Sequence, residues 1–489
     1  MASVSLRRAR SVCLLVLLSG VVTAGPSAAQ QPPPPSADGG TPSGSMPPAG
    51  AEPPGMPNMT LAEAVRYALK HQPAVRAALA RVSARIADVG IPRGQWLPSL
   101  GLTAQLIGGT ANNTTASYLG VAPVPTPRVG GTVDRTGSTA SWSPEPSTFA
   151  GLGLLQEVFD FGRISREISA ADSLVSVERR SAEAQSLDIR YGVEEAYYGV
   201  YAAKSVLRAS EDAYERARVH RDLARMGVAS GLRSPIEQTR AEAELDRLDI
   251  GRIRARGNVR IAQAVLAAAV GSAEPALDIA EAPPVPGGLP TLDASVQRAL
   301  EKEPQLQAAI ERIRAQEEET RAAFAQLRPE LLLAGTINAR AGGSTPTSGS
   351  IPDGNGWIPN VPNWQVGIVF SWPIFEGTLW ARGEASRERE AVRREEAALV
   401  RQDLVARVET TYVGVTVARE ALPRLEASVN AARANYAQAD ARFKGGLGTS
   451  VELADAEALR TDAEIQLALG QFDLARSRAA FGRAIAEGL

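Results

Sequence analysis

Glu452 and Asp455 are the residues whose type and spacing point most directly to shared chemistry. They follow Thr449-Ser450-Val451, so that a hydroxyl residue stands three positions before a glutamate, the signature of a capping box at a helix start. Carboxylates three apart lie on one face of the first helical turn, where they also complement the positive end of the helix dipole. Capping alone accounts for them within one chain. Repeated around a symmetric pore, the same pair forms an acidic ring that binds cations and filters charge. Ser234-Pro235-Ile236-Glu237 carries the same capping signature, with Pro235 suited to the first helical position.

Other chemistry finds little to work with. The 489 residues hold two histidines, His71 and His220, far apart in the chain, and one cysteine, Cys13, which excludes an intrachain disulfide and a thiolate metal site. No P-loop, HExxH, GxSxG or Rossmann fingerprint is present in strand-turn-helix context. The plentiful Glu and Asp sit in Arg/Glu patterns that solvate helix faces. With 52 basic against 54 acidic residues there is no electrostatic footprint for nucleic acid. No enzyme activity, cofactor or metal is expected.

The elements that must position the carboxylates come from an internal duplication. Residues 61–106 align without a gap on residues 292–337, and Leu61, Val65, Pro73, Arg81, Pro98 and Leu100 recur as Leu292, Val296, Pro304, Arg312, Pro329 and Leu331. Gly231-Leu232-Arg233-Ser234 likewise falls on Gly446-Leu447-Gly448-Thr449. Such a period is too long for a solenoid, so a whole domain is duplicated. Each copy reads as Ala/Leu/Arg/Glu-rich helix, two short strands and a long helical hairpin. The hairpins span 164–270 and 378–487, with their tips at 226–234 and 443–449.

The strands change the period. Leu100, Leu102, Ala104 and Leu106 alternate with polar or small residues, as do Leu331, Leu333 and Ile337, and Trp364, Val366, Ile368, Phe370 and Trp372. The four segments are expected at about 97–107, 148–159, 329–340 and 364–375. One apolar and one polar face over about ten residues is the dyad pattern of a transmembrane β-strand. All six tryptophans, Trp96, Trp142, Trp357, Trp364, Trp372 and Trp380, lie in or beside these segments. Core aromatics are the plainer explanation; the alternation favours Trp96, Trp364, Trp372 and Trp380 as membrane-interface aromatics. Four strands cannot close a barrel, and hydrocarbon does not tolerate an open edge, so other copies must supply strands. Three copies give twelve.

The remaining segments frame this unit. Residues 1–29 read as a secretory signal, with Arg7, Arg8 and Arg10 before an apolar run that contains Cys13. Residues 30–58 form a Pro-rich linker too polar to order itself. The first repeat is then 59–271, an inter-repeat linker 272–290, and the second repeat 291–489.

In the order and spacing of these parts, from about Asn58 to Leu489, the chain resembles the TolC-like outer-membrane efflux protein family. The resemblance rests on the tandem duplication, the strand exits Phe159-Asp160 and Phe375-Glu376-Gly377, and the tips Gly231-Leu232 and Gly446-Leu447. It implies a mainly α fold with membrane β: a homotrimer whose protomers share a twelve-stranded barrel in outer-membrane lipid and a long periplasmic α-barrel. It implies an exit duct of an efflux or type I secretion system, joined through a periplasmic adaptor to an inner-membrane transporter. By the same resemblance, Gly231, Leu232, Ser234, Gly446, Leu447 and Thr449 are the tip residues that meet the adaptor, and Glu452 and Asp455 form the periplasmic gate. Where some members carry an arginine that helps hold the gate shut, this chain has Gly448, so its closed-state contacts must differ. A soluble periplasmic coiled-coil adaptor or scaffold would also explain the hairpins, but leaves the alternating strands without a role.

Overall fold

The computed structural model describes residues 58–110, 144–280, 288–342 and 363–487. The predicted signal, most of the Pro-rich linker, Cys13, Trp142 and Trp357 lie outside the described residues. Among these residues the elements run β1 (Asn58–Met59), α1 (Leu61–His71), α2 (Pro73–Asp88), α3 (Gly90–Gly94), β2 (Ser99–Thr110), β3 (Pro144–Phe159), α4 (Arg163–Ala229) and α5 (Pro235–Val270). The second copy follows as β4 (Asp278–Ile279), α6 (Leu292–Lys302), α7 (Pro304–Ala325), β5 (Glu330–Gly342), β6 (Asn363–Ser371), α8 (Gly377–Lys444) and α9 (Ser450–Ala484).

Local chemistry explains the boundaries. Pro73 and Pro304 each occupy the first position of a new helix, where a missing N–H costs nothing. Thr60 and Glu63 close a complete capping box at α1, which the sequence signature at other positions did not single out. The stretch read as an inter-repeat linker contributes β4, which pairs in parallel with β1 at Asn58↔Asp278 and Met59↔Ile279. Thus Asn58 belongs to the folded unit rather than to the linker before it.

The second sheet is antiparallel in the order β2-β3-β5-β6, leaving β2 and β6 as edges. Its register builds cross-strand rows of like character. Leu102, Leu152, Ile337 and Trp364 stand side by side, and all four are exposed. The neighbouring row places Thr103, Gly151 and Asn338 together, and Thr103 and Asn338 are buried. A water-soluble sheet buries its apolar face; here the apolar face is bare and polar side chains are enclosed.

The long helices carry the bulk of the chain. At 1.5 Å per residue, the 67 residues of α4 and 68 of α8 each span roughly 100 Å. Each copy has its own core. Tyr197, Val193 and Val200 of α4 pack with Leu266 and Val270 of α5 and Ala64 and Ala68 of α1. Val408 and Leu404 of α8 pack with Phe481 of α9, Leu306 of α7 and Ala299 of α6. No described helix is long and apolar enough to cross a membrane.

Candidate functional site

The two hairpin tips are built alike. At the end of α4 the Leu232 N–H donates to the Gly227 carbonyl (2.9 Å) and the Gly231 N–H to the Val228 carbonyl (3.0 Å). At the end of α8 the Leu447 N–H donates to Arg442 (2.9 Å) and the Gly446 N–H to Phe443 (3.1 Å). Both are Schellman motifs, and both require the left-handed backbone found at Gly231 (φ 76°) and Gly446 (φ 72°). The motif normally lets the following apolar residue fold back on the helix. Here its partner positions are Gly227 and Arg442, and Leu232 and Leu447 project into solvent, 84% and 79% exposed.

Of the two capping boxes expected after the tips, α9 shows the hydroxyl half and α5 shows neither half. Thr449 Oγ1 accepts from the Glu452 N–H at 3.2 Å, so α9 is capped by its hydroxyl. Ser234 makes no side-chain cap at α5. The Glu237 carboxylate that a capping box needs is held instead by Arg233 Nη1 at 2.8 Å.

Glu452 and Asp455 both lie exposed on the first turns of α9. Glu452 stands 3.8 Å from Arg442 Nε, a solvated pair worth little. The structure therefore keeps the two predicted gate carboxylates on one accessible face.

A guanidinium does reach across the tips, from the other copy. Arg233 occupies in the first tip the position that Gly448 holds in the second. Its Nη2 donates to the Phe443 carbonyl at 2.8 Å, and its Cζ lies 3.8 Å from the centre of the Phe443 ring. At Gly448 an added Cβ would stand 3.1 Å from the Phe443 nitrogen, so backbone crowds the place where a side chain would begin. No local signal marks Arg233 in the sequence; its one pointer is the copy alignment, which sets it beside Gly448.

Deeper between the hairpins lies a polar cluster. Arg216 of α4 grips Glu457 of α9 with Nε and Nη2 at 2.7–3.1 Å, and Glu457 is 3% exposed. Burial disfavours the Arg216 charge, but hydrogen bonds and charge from Glu457 overcome it and raise its pKa. Tyr436 of α8 lies near Arg216 and Arg460, with guanidinium carbons 5.7 and 5.0 Å from its ring centre. Burial, then the charges of Glu457 and Asp440, push its hydroxyl up to about 12. His220 Nε2 meets the Tyr436 hydroxyl at 2.8 Å, and burial lowers the His220 pKa against the opposing pull of Asp440. A cavity of about 240 Å³ opens beside these groups, lined by His220, Arg240, Glu244, Phe443, Leu453 and Glu457 among others.

The predicted interface tryptophans lie around the sheet. Trp364 on β6 is 77% exposed, Trp372 follows β6 and donates Nε1 to the Leu327 carbonyl at 3.2 Å, and Trp96 precedes β2. Trp380 sits in the first turn of α8, edge-on to Phe324 of α7. Among the described residues no cluster of His, Cys, Asp and Glu could hold a metal ion.

A sheet with a bare apolar face and edges unpaired among the described residues, carried on two helical hairpins whose longer helices α4 and α8 each span roughly 100 Å, fits an outer-membrane channel protein of the TolC-like class. The chain belongs to the outer membrane efflux protein family, whose model matches residues 64–272 and 295–487. It is 28% identical to Protein CyaE of Bordetella pertussis over 226 residues, a match covering 46% of this chain and 42% of CyaE. Its fold is that of the Campylobacter jejuni CmeC outer membrane channel (TM-score 0.68, 17% identity, 88% of this chain and 86% of that one). The open-state Neisseria gonorrhoeae MtrE channel (0.64, 19%, 88% and 89%) and the Vibrio cholerae outer membrane protein VceC (0.67, 18%, 87% and 95%) share it. The chain is thus an outer-membrane protein with a large periplasmic helical portion.

Proposed function

We propose that the protein is the exit duct of a tripartite efflux or type I secretion system, working as a homotrimer that passively conducts substrate from a periplasmic adaptor and inner-membrane pump to the exterior. The observation that carries this reading is the inside-out sheet with bare edges at β2 and β6. Membrane strands need closure, and three copies of four strands supply it. The energy comes from the pump, and the duct performs no reaction of its own. The adaptor docks on the tips, where Leu232 and Leu447 offer apolar side chains on rigid Schellman turns. Glu452 and Asp455 form the acidic ring at the narrow end, and Trp96, Trp364, Trp372 and Trp380 mark the membrane boundary.

Purified protein in planar lipid bilayers tests the reading. The wild type gives small cation-selective currents, and E452Q/D455N loses much of the selectivity and of the block by multivalent cations. Unchanged selectivity in the double variant would remove the gate assignment; no current under any condition would remove the duct.

A further inference from the structure

Where α4, α5 and α9 meet near the tips they leave a space unfilled. Ala217 and Ala224 of α4, Ala241 of α5 and Ala454 of α9 face the cavity of about 240 Å³, and Phe443 and Leu453 complete its apolar wall. The four alanines carry too little side chain to close the gap, and walls of this kind give water few hydrogen-bond partners. An apolar cavity of about 150 Å³ holds a benzene ring, so this one has room for a body of one or two rings.

The titratable groups around this wall are committed elsewhere, with one exception. Glu457 is held by Nε and Nη2 of Arg216 and by the Thr461 hydroxyl at 3.0 Å. Glu244 takes Arg247 Nε at 2.8 Å. His220 stays neutral at pH 7, because burial lowers its pKa. Arg240, one turn before Glu244 on α5, is exposed at the rim and forms no hydrogen bond or ion pair with any described residue. Its guanidinium is the uncommitted charge of the cavity. The first turn of α9 adds to the same sign: Ser450 and Val451, its first two residues, border the cavity, and N–H groups there have no carbonyl partner within the helix. At about 100° per residue, the exposed Glu452 and Asp455 fall on the other side of α9 from Ser450, Ala454 and Glu457.

We propose that this cavity is a binding site for a small apolar carboxylate, a one- or two-ring body seated between α4, α5 and α9 with its anionic group at Arg240 and the first turn of α9. Seating the ring against the alanines, Phe443 and Leu453 removes apolar area from water. The carboxylate stays at the mouth, where it keeps part of its hydration while it pairs with the guanidinium. Two parallel N–H groups of an arginine match the two oxygens of a carboxylate, so a neutral ring of the same shape binds more weakly and an ammonium more weakly still. The walls come from both hairpins of one chain, so each chain carries a complete site, whether or not the protein conducts.

The test is calorimetric titration of the full chain, held in amphipol, with naphthoate, naphthylmethanol and naphthylmethylammonium. The wild type takes one naphthoate per chain and binds it about five- to tenfold more tightly than the alcohol, with the ammonium weakest. R240E, a change at an exposed position, removes the preference for naphthoate over the alcohol and raises the affinity for the ammonium. A241F puts a ring into the cavity and abolishes saturable binding of all three. If A241F does not assemble, A454F fills the same space from α9 and the same loss is expected. No saturable naphthoate binding, a wild type that prefers the ammonium, a naphthoate preference that survives R240E, or a filled variant that binds as the wild type does would each overturn the site. Uptake that never saturates and is equal in every chain is partition into the polymer, and overturns it as well.

Discussion

Arg216 on α4 and Glu457 on α9 form a two-pronged ion pair across the hairpins, with the glutamate almost wholly enclosed. Removing one partner leaves the other charged and dry, which typically costs about 3–5 kcal/mol, whereas replacing both with apolar residues of similar size is often close to neutral. Thus R216A should strongly raise hydrogen exchange in the tip half of α9, and R216M/E457L should restore much of the protection. Equal exchange in R216A and wild type would show that the pair does not hold the hairpins together.

The His220–Tyr436 contact gives the tip region a pH dependence with a definite sign. His220 is half-buried, and that burial lowers its pKa; Asp440 and Glu457 oppose the shift, while Lys444 and Arg216 add to it. Arg240 and Glu244 of α5 line the adjoining cavity. A state that buries neutral histidine binds fewer protons than one that exposes it, so the closed contact is fully present above the ordinary histidine pKa of about 6.5 and is lost as pH falls through the lowered value. Hydrogen exchange around residues 213–224 and 436–443 should rise on acidification from pH 7 to pH 5, and H220F should flatten that rise. An H220F chain with the wild-type pH profile would contradict this.

Gly231 and Gly446 turn the two tips in a backbone region that costs an L-residue with a Cβ about 1–2 kcal/mol. G231A and G446A should each lower the stability of their tip by about that amount. By contrast, L232E and L447E alter exposed side chains and should leave folding unchanged while weakening binding of a periplasmic adaptor in pull-down or interferometry. Wild-type adaptor affinity in L232E/L447E would show that the tips are not the docking surface.

The alternating sheet predicts opposite responses on its two faces. Ile368 is 69% exposed on the apolar face, and an arginine there should cost up to about 2–4 kcal/mol near the bilayer midplane. I368R should therefore reduce assembled protein in the outer membrane. Q365E, at an exposed position on the polar face, should preserve assembly and shift ion selectivity toward cations. Normal assembly of I368R would mean that this face does not meet lipid.

The parts of this architecture set by local rules were legible in the sequence, and the parts set by helix-to-helix contact were not. Alternation of Leu100, Leu102 and Leu106, or of Trp364, Val366 and Ile368, is a property of a single strand, so it survives without a structure. The glycines of the two tips are equally local. Ser234 and Glu237 also matched a local rule, but Arg233 lies next in sequence and captures the carboxylate. Glu457 looked like one of many helical carboxylates on a solvated face; its partner Arg216 lies 241 residues away, and only the packing of α4 on α9 reveals the pair.

The mass of the detergent-solubilised particle, measured by light scattering with bound detergent subtracted, tests the shared barrel most directly. Three times the mass of one chain is the expected result, the 489 residues amounting to 51.5 kDa before any processing. A detergent-independent particle of one chain mass would leave β2 and β6 as bare edges with nothing to close them, and would contradict the trimeric duct.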